Sequence, residues 1–561
     1  MGEDVAGVDA GREASVDAGL DAPVGGDPRA GAGHRWDADI LGLLMAPVPG
    51  VPGDVGGDGV GGAGRPTVPR GFMDAVDAGL AAVVLFAENT PDPATAARLV
   101  RALHDRREDL LLAIDEEGGD VTRLQARTGS SVPSAWALGE IDDPELTRCL
   151  GRALGDLLAA CDLDLDLAPV LDVSTDPANP VIGTRAFGAE PDLVAAHARA
   201  FATGLIDAGI GTCAKHFPGH GATSVDSHTA LPRIDLTAAE LARDHLAPWR
   251  IAPWLDAVMT AHVLVPALGA GPASISPWSR PLLDEAVGGV FRGLVITDAL
   301  DMAAVAADPG PEEAAVRALE AGADLLCLGS PRGGDAEGML RRAHDAIRSA
   351  REAGRLDAEE LRRRAASTRE RIRSLRTRRR FVPAPPLEAA LDRLDRLGAE
   401  AAARAVRSRH GHARLDLGPV TVMDLRHGAH RAASSRPPQL VTALRERGIR
   451  ADVPDYPAQL LSATDSLVGP ADPALAVPGQ VLALTRLPRA DAEEARALAA
   501  LLAARPATIV VHTGVPAAAP DHRLLVLAHG GGLPLMRAAV DLLLRGAEEG
   551  RIAPSVTPTA P

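Results

Sequence analysis

One lysine stands among the 58 lysine and arginine residues of this 561-residue chain, and it lies in the segment Lys215-His216-Phe217-Pro218-Gly219-His220-Gly221. Arginine occupies every other basic position, which indicates that position 215 needs a compact ammonium group rather than a planar guanidinium. Asp226, Ser227 and His228 follow a few residues later. One ammonium group, three imidazoles and a carboxylate in so short a segment are typical of a chemical site rather than a solvated loop.

The same segment contains residues of the types that bind zinc in proteins, namely His216, His220, Asp226 and His228. The first two histidines have the i, i+4 spacing of a ligand pair on one helix. Pro218 lies between them, and proline disfavours the helix that presents such a pair. We therefore expect no metal here, and we expect His220 to be a structural loop residue.

Eight short apolar runs alternate with longer segments of helical character between residues 36 and 380, which is the pattern of βα units. Eight such units predict an α/β fold whose larger domain is a (β/α)8 TIM-like barrel. The predicted strands are Leu41–Ala46, Ala82–Phe86, Leu110–Asp115, Leu163–Val173, Gly211–Phe217, Ala257–Val263, Gly293–Asp298 and Asp324–Leu328.

Polar residues end several of these predicted strands. Asp115, Lys215 with His216, His262 and Asp298 all fall at carboxyl-terminal strand ends, where barrels of this kind carry their chemistry. We therefore expect the five side chains to converge at one rim of the barrel. For His262, contact with a substrate and support of the rim are equally compatible with the sequence, so it is a candidate substrate-binding residue.

Composition limits the classes of partner. With 46% hydrophobic residues, a chain of this length predicts two domains with sizeable cores. The formal net charge of -17 argues against nucleic acid and against anionic membrane surfaces as partners. The four cysteines lack metal-binding and redox spacing and are expected to be small buried hydrophobic residues: Cys149, Cys161, Cys213 and Cys327.

The composition changes along the chain predict four segments. Residues 1–35 are rich in Gly, Ala and Asp and predict a disordered segment without signal-peptide features, so a cytoplasmic protein is expected. The barrel is predicted at 36–356. A basic run ending in Pro383–Pro386 predicts a linker at 357–386 that contains a solvated helix, and a smaller α/β domain is predicted at 387–555.

The C-terminal domain has four predicted buried strands, Val420–Leu425, Val481–Thr485, Thr508–His512 and Leu524–Ala528. The triplet Gly530-Gly531-Gly532 follows the last of them. Such a triplet suits a phosphate at a helix start, but alone it is more often a turn. No run of about 20 apolar residues occurs, so no membrane-spanning helix is expected.

The segment Lys215–Pro232, KHFPGHGATSVDSHTALP, resembles the signature of the β-N-acetylglucosaminidases of glycoside hydrolase family 3, of the NagZ type. Within residues 80–330, four further segments match the same family in the same order: Asp115–Gly119 with Arg123, Asn179-Pro180 with Gly183–Gly188, Met259–His262 and Ile296–Met302. The resemblance implies a catalytic barrel. The C-terminal domain is similar to the α/β sandwich that some members append.

The resemblance implies a retaining mechanism in which Asp298 is the nucleophile and forms a covalent glycosyl-enzyme. It implies that His228 is the acid and base, with Asp226 orienting its ring. It implies no cofactor and no metal. By the same resemblance, the residues that bind the non-reducing sugar are Asp115, Arg123, Arg185, Lys215 and His216.

The implied function is exo-acting removal of terminal β-linked N-acetylglucosamine, from muropeptides in cell-wall recycling or from chitin-type oligosaccharides. Three alternatives stay open: a β-glucosidase, a phosphorylase, and a sugar-binding protein without catalysis. The phosphorylase alternative depends on His228, which is neutral after losing its proton and would not repel phosphate as a carboxylate does. The presence of Asp298 together with Asp226 and His228 favours an enzyme.

Overall fold

The computed structural model describes residues 34–49, 68–227, 229–330, 335–410, 413–426, 438–454 and 479–549. Both sheets belong to the compact unit that begins at Asp37. Only the last two residues of the predicted disordered segment at 1–35 are described, and His228 lies outside the described residues. No helix in the described part of the chain combines the length and apolar character needed to cross a bilayer.

The first sheet is a nearly closed barrel of eight parallel strands in the spatial order β7-β6-β5-β4-β3-β2-β1-β8. A bridge between Ile296 and Leu325 joins its two ends. The predicted barrel is therefore confirmed. Its strands are β1 Leu44–Pro47, β2 Ala82–Leu85, β3 Leu111–Ile114, β4 Leu165–Asp166, β5 Gly211–Phe217, β6 Ala257–Thr260, β7 Leu294–Thr297 and β8 Leu326–Cys327.

Helices follow most of these strands, and local sequence fixes where they begin. For example, the first turn of the helix at Pro93 is capped by Asp92, whose carboxylate accepts the Thr95 N–H at 2.7 Å. The α-helices of this half are α1 Ala38–Leu41, α2 Arg70–Ala78, α3 Pro93–Arg106, α4 Ala135–Ile141, α5 Pro144–Ala160, α6 Pro191–Asp207, α7 Ala238–Leu241, α8 Ser279–Ala286, α9 Ala303–Ala306, α10 Pro311–Glu320, α11 Ala336–Glu352, α12 Ala358–Phe381 and α13 Leu387–Ala405.

The barrel strands are buried along their whole length, which explains why they appear in the sequence as uninterrupted apolar runs. Strand β4 is shorter than its prediction, because the predicted strand Leu163–Val173 is regular only over Leu165–Asp166. Pro169 lies in the remainder and has no N–H to donate to the ladder. The chain beyond it still runs beside β5, since the Leu171 N–H donates to the Lys215 carbonyl at 2.6 Å.

Helix α12 is solvated on one face, as predicted, with Arg362, Arg363 and Arg373 65%, 67% and 62% exposed, but its opposite face packs on the barrel. Its apolar residues Ile372 and Leu375 belong to the buried cluster that contains the barrel side chains. Arg376 is buried, with Nη1 2.5 Å from Oδ1 of Asp164, the residue that precedes β4. The basic run therefore packs on the barrel. Two of its arginines, Arg371 and Arg376, pair with the buried carboxylates of Asp324 and Asp164, which the sequence pattern does not reveal.

The second sheet has the order β11-β10-β12-β13-β14-β9, with only the β14–β9 pair antiparallel. The four predicted strands are all present, and two short edge strands, β9 and β11, were not predicted because they carry no apolar run. The strands are β9 Arg407–Ser408, β10 Val420–Asp424, β11 Ala451–Asp452, β12 Gln480–Thr485, β13 Ile509–His512 and β14 Leu525–Leu527, with helices α14 Gln439–Glu446, α15 Ala492–Ala504 and α16 Leu533–Glu549.

Candidate active site

The carboxyl-terminal rim of the barrel brings together the polar residues predicted from the strand ends. Asp115 directly follows β3, Asp298 directly follows β7, and Lys215 with His216 lies in the last part of β5. His262 follows β6 by two residues. Because all eight strands are parallel, these positions share one end of the barrel.

Lys215 lies buried between two carboxylates. Its Nζ is 2.7 Å from Oδ1 of Asp115 and 2.5 Å from Oε1 of Glu117, and only 2% of its side chain is exposed. Burial by itself disfavours the ammonium form, but the two carboxylates outweigh burial and raise the pKa of Lys215 above its usual value. The lysine is therefore charged at neutral pH. A compact ammonium fits between two acceptors where a guanidinium plane would not.

Arg185 binds the carboxylate of Glu117 through two of its guanidinium nitrogens. Its Nε and Nη2 each lie 2.8 Å from an oxygen of Glu117, a bidentate arrangement with both side chains almost fully buried. Burial alone would raise the pKa of Glu117, but Arg185 and Lys215 hold it well below its usual value. Glu117 thus carries a permanent negative charge between two cations.

His216 forms hydrogen bonds with both Asp172 and Arg185. Its Nδ1 lies 2.6 Å from Oδ2 of Asp172, and its Nε2 lies 3.3 Å from Nη2 of Arg185. A guanidinium N–H can only donate, so Nε2 of His216 accepts a hydrogen bond from Arg185. Nδ1 therefore carries the hydrogen and donates a hydrogen bond to Asp172. Burial opposes the charge on Asp172, but His216 and then His220 lower its pKa. Both ring nitrogens of His216 are therefore used within the protein.

His220 has a structural environment. Its Nδ1 is 2.8 Å from the Thr223 hydroxyl and its Nε2 is 3.2 Å from the Ser227 hydroxyl. Burial lowers the pKa of His220 to about 4, so the ring is neutral at pH 7. The zinc interpretation is disfavoured, because an arginine faces Nε2 of His216 and hydroxyls occupy both nitrogens of His220. At this rim, no three ligand groups of the described residues lie within metal-binding distance of one another.

The loop after β3 presents Arg123 beside Asp115. Nη2 of Arg123 lies 3.6 Å from Oδ2 of Asp115. Burial would raise the pKa of Asp115, but Lys215 and Arg123 lower it. Glu116 supports the loop from below, since its Oε2 accepts the backbone N–H groups of Arg123 at 2.8 Å and Leu124 at 2.9 Å. Burial raises the pKa of Glu116, in contrast to its two acidic neighbours.

Asp298 is partly exposed at the rim, in the loop after β7. Its backbone N–H donates to the Thr260 carbonyl at 2.9 Å, and its Oδ1 accepts the Ala299 N–H at 2.8 Å. His262 lies beneath this loop, fully buried, with Nε2 2.9 Å from the Ala299 carbonyl and Nδ1 2.6 Å from the Ser274 hydroxyl. This placement favours support of the rim over contact with a substrate.

The loop with the proposed acid and base is attached to the loop of the proposed nucleophile. The Ala304 N–H donates to the Ser227 carbonyl at 3.2 Å, and Ser227 is buried. The Asp226 carbonyl accepts the Thr229 N–H at 2.9 Å, which turns the chain after Asp226. The two loops are therefore linked next to Asp226, while His228 falls outside the described residues.

The sequence interpretation missed two site residues, Glu117 and Asp172. Side chains alternate along an extended chain, so Glu117 lies on the same side as Asp115. Its spacing of two residues from Asp115 could therefore have identified Glu117 as a site residue. Asp172 lies in the apolar run of the predicted fourth strand, where an unexplained carboxylate indicates a buried partner. That partner, His216, is distant in sequence and could not be identified from spacing.

Known proteins are similar to this chain in sequence. The family model described as glycosyl hydrolase family 3 N terminal domain matches residues 74–367. A β-hexosaminidase of Nitrosomonas eutropha is 37% identical over 257 residues, which is 44% of this chain and 72% of that relative. A β-hexosaminidase of Thiobacillus denitrificans is 39% identical over 257 residues, 44% of this chain and 70% of that relative.

A solved structure is similar over both domains. It is a glycoside hydrolase family 3 β-N-acetylglucosaminidase from Paenibacillus sp. str. FPU-7, with a TM-score of 0.74 and 28% sequence identity. The likeness covers 91% of this chain and 97% of that chain. With the barrel, the charged rim and the family match over more than half of its residues, the chain belongs to glycoside hydrolase family 3.

Proposed function

We propose that this chain is an exo-acting, retaining β-N-acetylglucosaminidase that releases terminal N-acetylglucosamine. As a glycoside hydrolase it acts on carbohydrate substrates. The observation that carries the proposal is the buried charge network of Lys215, Glu117 and Arg185, at the same barrel rim as Asp298. Relatives named β-hexosaminidase and β-N-acetylglucosaminidase support this choice of sugar.

Sugar hydroxyls suit the polar groups that remain accessible at the rim. Asp115 and Arg123 keep 18% and 12% of their side chains exposed, whereas Lys215 and Glu117 are nearly enclosed. Charge-assisted hydrogen bonds to hydroxyls are short and strong, and a missing hydroxyl would leave a charge unpaired. The free hydroxyls of a terminal residue offer such contacts, and this supports exo action on a β-linked N-acetylglucosaminide, of muropeptide or chitin type.

The chemistry requires a nucleophile, an acid and a base. We assign the nucleophile to Asp298, whose carboxylate attacks the anomeric carbon while the bond to the leaving oxygen breaks. His228 gives its proton to that oxygen, and Asp226 stabilises the imidazolium before the transfer. In the second step, His228 takes a proton from water, the hydroxide oxygen bonds to the anomeric carbon, and Asp298 leaves as a carboxylate.

The link between Ser227 and Ala304 supports this division of roles, since it joins the Asp226 loop to the segment that follows Asp298. Two functional groups that act on opposite sides of one bond must keep a fixed separation. A backbone hydrogen bond between their loops supplies such a constraint without occupying either side chain.

The decisive experiment compares aryl β-N-acetylglucosaminide with aryl β-glucoside, each with and without millimolar phosphate, and separates the products by charge. We expect turnover of the first substrate only, with free N-acetylglucosamine as product and no loss of rate after chelator treatment. Preference for the glucoside would indicate a β-glucosidase. A sugar 1-phosphate as product would indicate a phosphorylase. Sugar binding without turnover would indicate a sugar-binding protein without catalysis.

A further inference from the structure

The carboxyl-terminal edge of the second sheet packs against the loop of the sugar-binding site. The contact involves a short hairpin after β3, residues Gly118–Val121, closed by two backbone hydrogen bonds of 3.1 Å. We refer to it as the β3 hairpin. In parallel α/β sheets, this edge is where ligands bind. Here the barrel itself occupies the edge, and Asp120 lies at the tip of the hairpin that enters it.

Gly531 marks the place where the hairpin and the second domain meet. A methyl group added at Gly531 would lie 3.2 Å from Oδ1 of Asp120 and 3.1 Å from Nη1 of Arg426. A methyl group at Gly532 would lie 3.8 Å from the backbone of Gly119. Asp120 of the barrel therefore lies next to the glycine triplet, for which the sequence left a phosphate site or a turn open.

The charges at this contact are complementary. Arg426 follows β10 and Arg486 follows β12, and both are partly buried. Burial and then the neighbouring Arg426 lower the pKa of Arg486, while Asp120 acts on it in the opposite direction. Asp120 also raises the pKa of Arg426, together with Asp424. Arg426 is already bound by both oxygens of Asp424, at 2.7 and 2.6 Å, so Asp120 adds a further negative charge from the barrel to this region.

Two further contacts hold the same region. The Ser134 hydroxyl, just before α4, donates to the backbone carbonyl of His529. Trp136 in α4 packs against an apolar cluster of the second domain, formed by Leu487, Val515 and Ala518. The docking of the two domains is therefore independent of Asp120, and removal of that charge alone should leave them together.

The β3 hairpin connects two residues of the sugar-binding network. Glu117, which binds Lys215 and Arg185, immediately precedes the hairpin. Arg123, which lies beside Asp115, follows it by two residues. A displacement of the tip therefore shifts both groups, and the ion pairs of the site tolerate little displacement because they are buried.

We propose that Asp120 is a positioning residue, through which the second domain fixes the sugar-binding end of the β3 loop by way of Gly531 and Arg426. The residue touches no substrate in this account. It sets the placement of Glu117 and Arg123, so its loss weakens sugar binding while the nucleophile loop after β7 is unaffected. The proposal rests on the proposed function for the identity of the sugar.

The test uses the full chain with Asp120→Asn, which removes the charge at nearly constant shape. The matched control is Glu140→Gln, which removes an exposed carboxylate of α4. Steady-state kinetics on aryl β-N-acetylglucosaminide should give a KM raised about fivefold or more for D120N, with kcat within about twofold of wild type. E140Q should resemble wild type in both. An unchanged KM for D120N would overturn the proposal, whatever happens to its melting temperature.

A second pair of variants keeps the test valid if D120N folds poorly. Gly531→Val places a side chain between Asp120 and Arg426, whereas Gly418→Val adds one where no atom of the described residues lies within 4 Å. We expect a raised KM for G531V alone, and equal KM values for the two variants would overturn the proposal. Calorimetric binding of N-acetylglucosamine should show the same order of affinities. If the wild-type protein binds the sugar but does not turn over the substrate, the proposed function is wrong, and the binding measurements still test the role of Asp120.

Discussion

Nζ of Lys215 lies 2.5 Å from Oε1 of Glu117, and both side chains are almost completely buried. The contact explains why the chain keeps one lysine. A buried ammonium needs carboxylates on more than one side, and Asp115 provides the second at 2.7 Å. The rim that we propose to bind the sugar thus depends on a carboxylate that is enclosed beneath the residues proposed to touch the substrate.

We predict that Glu117→Gln weakens substrate binding and stability together. Loss of one partner of a buried ion pair costs about 3–5 kcal/mol, because Arg185 then lacks its carboxylate and Lys215 keeps only Asp115. KM for aryl β-N-acetylglucosaminide should rise about tenfold or more. With Glu117 neutral, the pKa of Lys215 falls, so activity should decline at a lower alkaline pH than in wild type.

The matched control is Glu116→Gln, one residue earlier. Burial raises the pKa of Glu116 and so disfavours its charge, and in the variant one amide oxygen can accept both backbone N–H groups. We expect KM and the melting temperature to stay near wild-type values. Equal losses in the two variants would show that the E117Q effect arises from loop disruption rather than from charge.

His262 should affect turnover more than binding. Its Nε2–H donates to the carbonyl of Ala299, next to Asp298, so replacement by phenylalanine releases the nucleophile loop. We expect kcat to fall about 10- to 100-fold with KM within about twofold. Ser274→Ala, which removes the hydroxyl at Nδ1, should give a milder loss of the same kind. A raised KM with unchanged kcat would instead assign His262 to the sugar.

Stability should fall in mild acid because of buried histidines. Burial lowers the pKa of His220, His512 and His529 to about 4 each, from 6.5. Between pH 6.5 and 4 the unfolded chain binds protons that the folded chain excludes, so the free energy of unfolding decreases as the pH falls. Each histidine contributes about 2 kcal/mol of this loss between pH 7 and pH 5.

Urea unfolding at several pH values measures this dependence. His512→Gln should reduce the loss between pH 7 and pH 5 by about 2 kcal/mol, whereas His410→Gln, which changes an exposed histidine, should leave it unchanged. If both variants keep the full wild-type dependence, the acid sensitivity must come from carboxylates, whose lowered pKa values act below about pH 4.

The proposed acid and base predict a dependence on the leaving group. His228→Ala should slow glycosylation from substrates with poor leaving groups by about 100-fold or more, and activated aryl glycosides much less, because only the former need protonation. Asp226→Ala should give a weaker version of this pattern. Equal losses for every leaving group would move the acid to another residue.

The fold was predictable where burial alone shapes the sequence. Strand β5 has its predicted bounds, Gly211–Phe217, because each of its residues is buried and none is a proline. Prediction was wrong for the extent of β4, since Pro169 interrupts the ladder, and it missed the buried face of α12. The buried pair of Arg376 with Asp164 joins residues far apart in sequence, and composition cannot distinguish such an arginine from a solvated one.

The site was predictable to the level of strand ends and motifs. The convergence of Asp115 and Lys215 followed from their positions at the ends of two strands, and the structure places them in contact. The opposite pKa shifts of Glu116 and Glu117 were not predictable, because they depend on which of the two side chains contacts Arg185. The acid and base residue His228 stays a prediction from the sequence.

The central claim is a covalent intermediate on Asp298, and trapping it is the most direct test. The protein is incubated with a 5-fluoro N-acetylglucosaminyl fluoride, which slows breakdown of the intermediate, and is then analysed by intact mass and peptide mapping. We predict one added sugar per chain, located on the peptide that contains Asp298, and no adduct in Asp298→Ala. An adduct on another residue, or turnover of this reagent by the Asp298→Ala variant, would contradict the account.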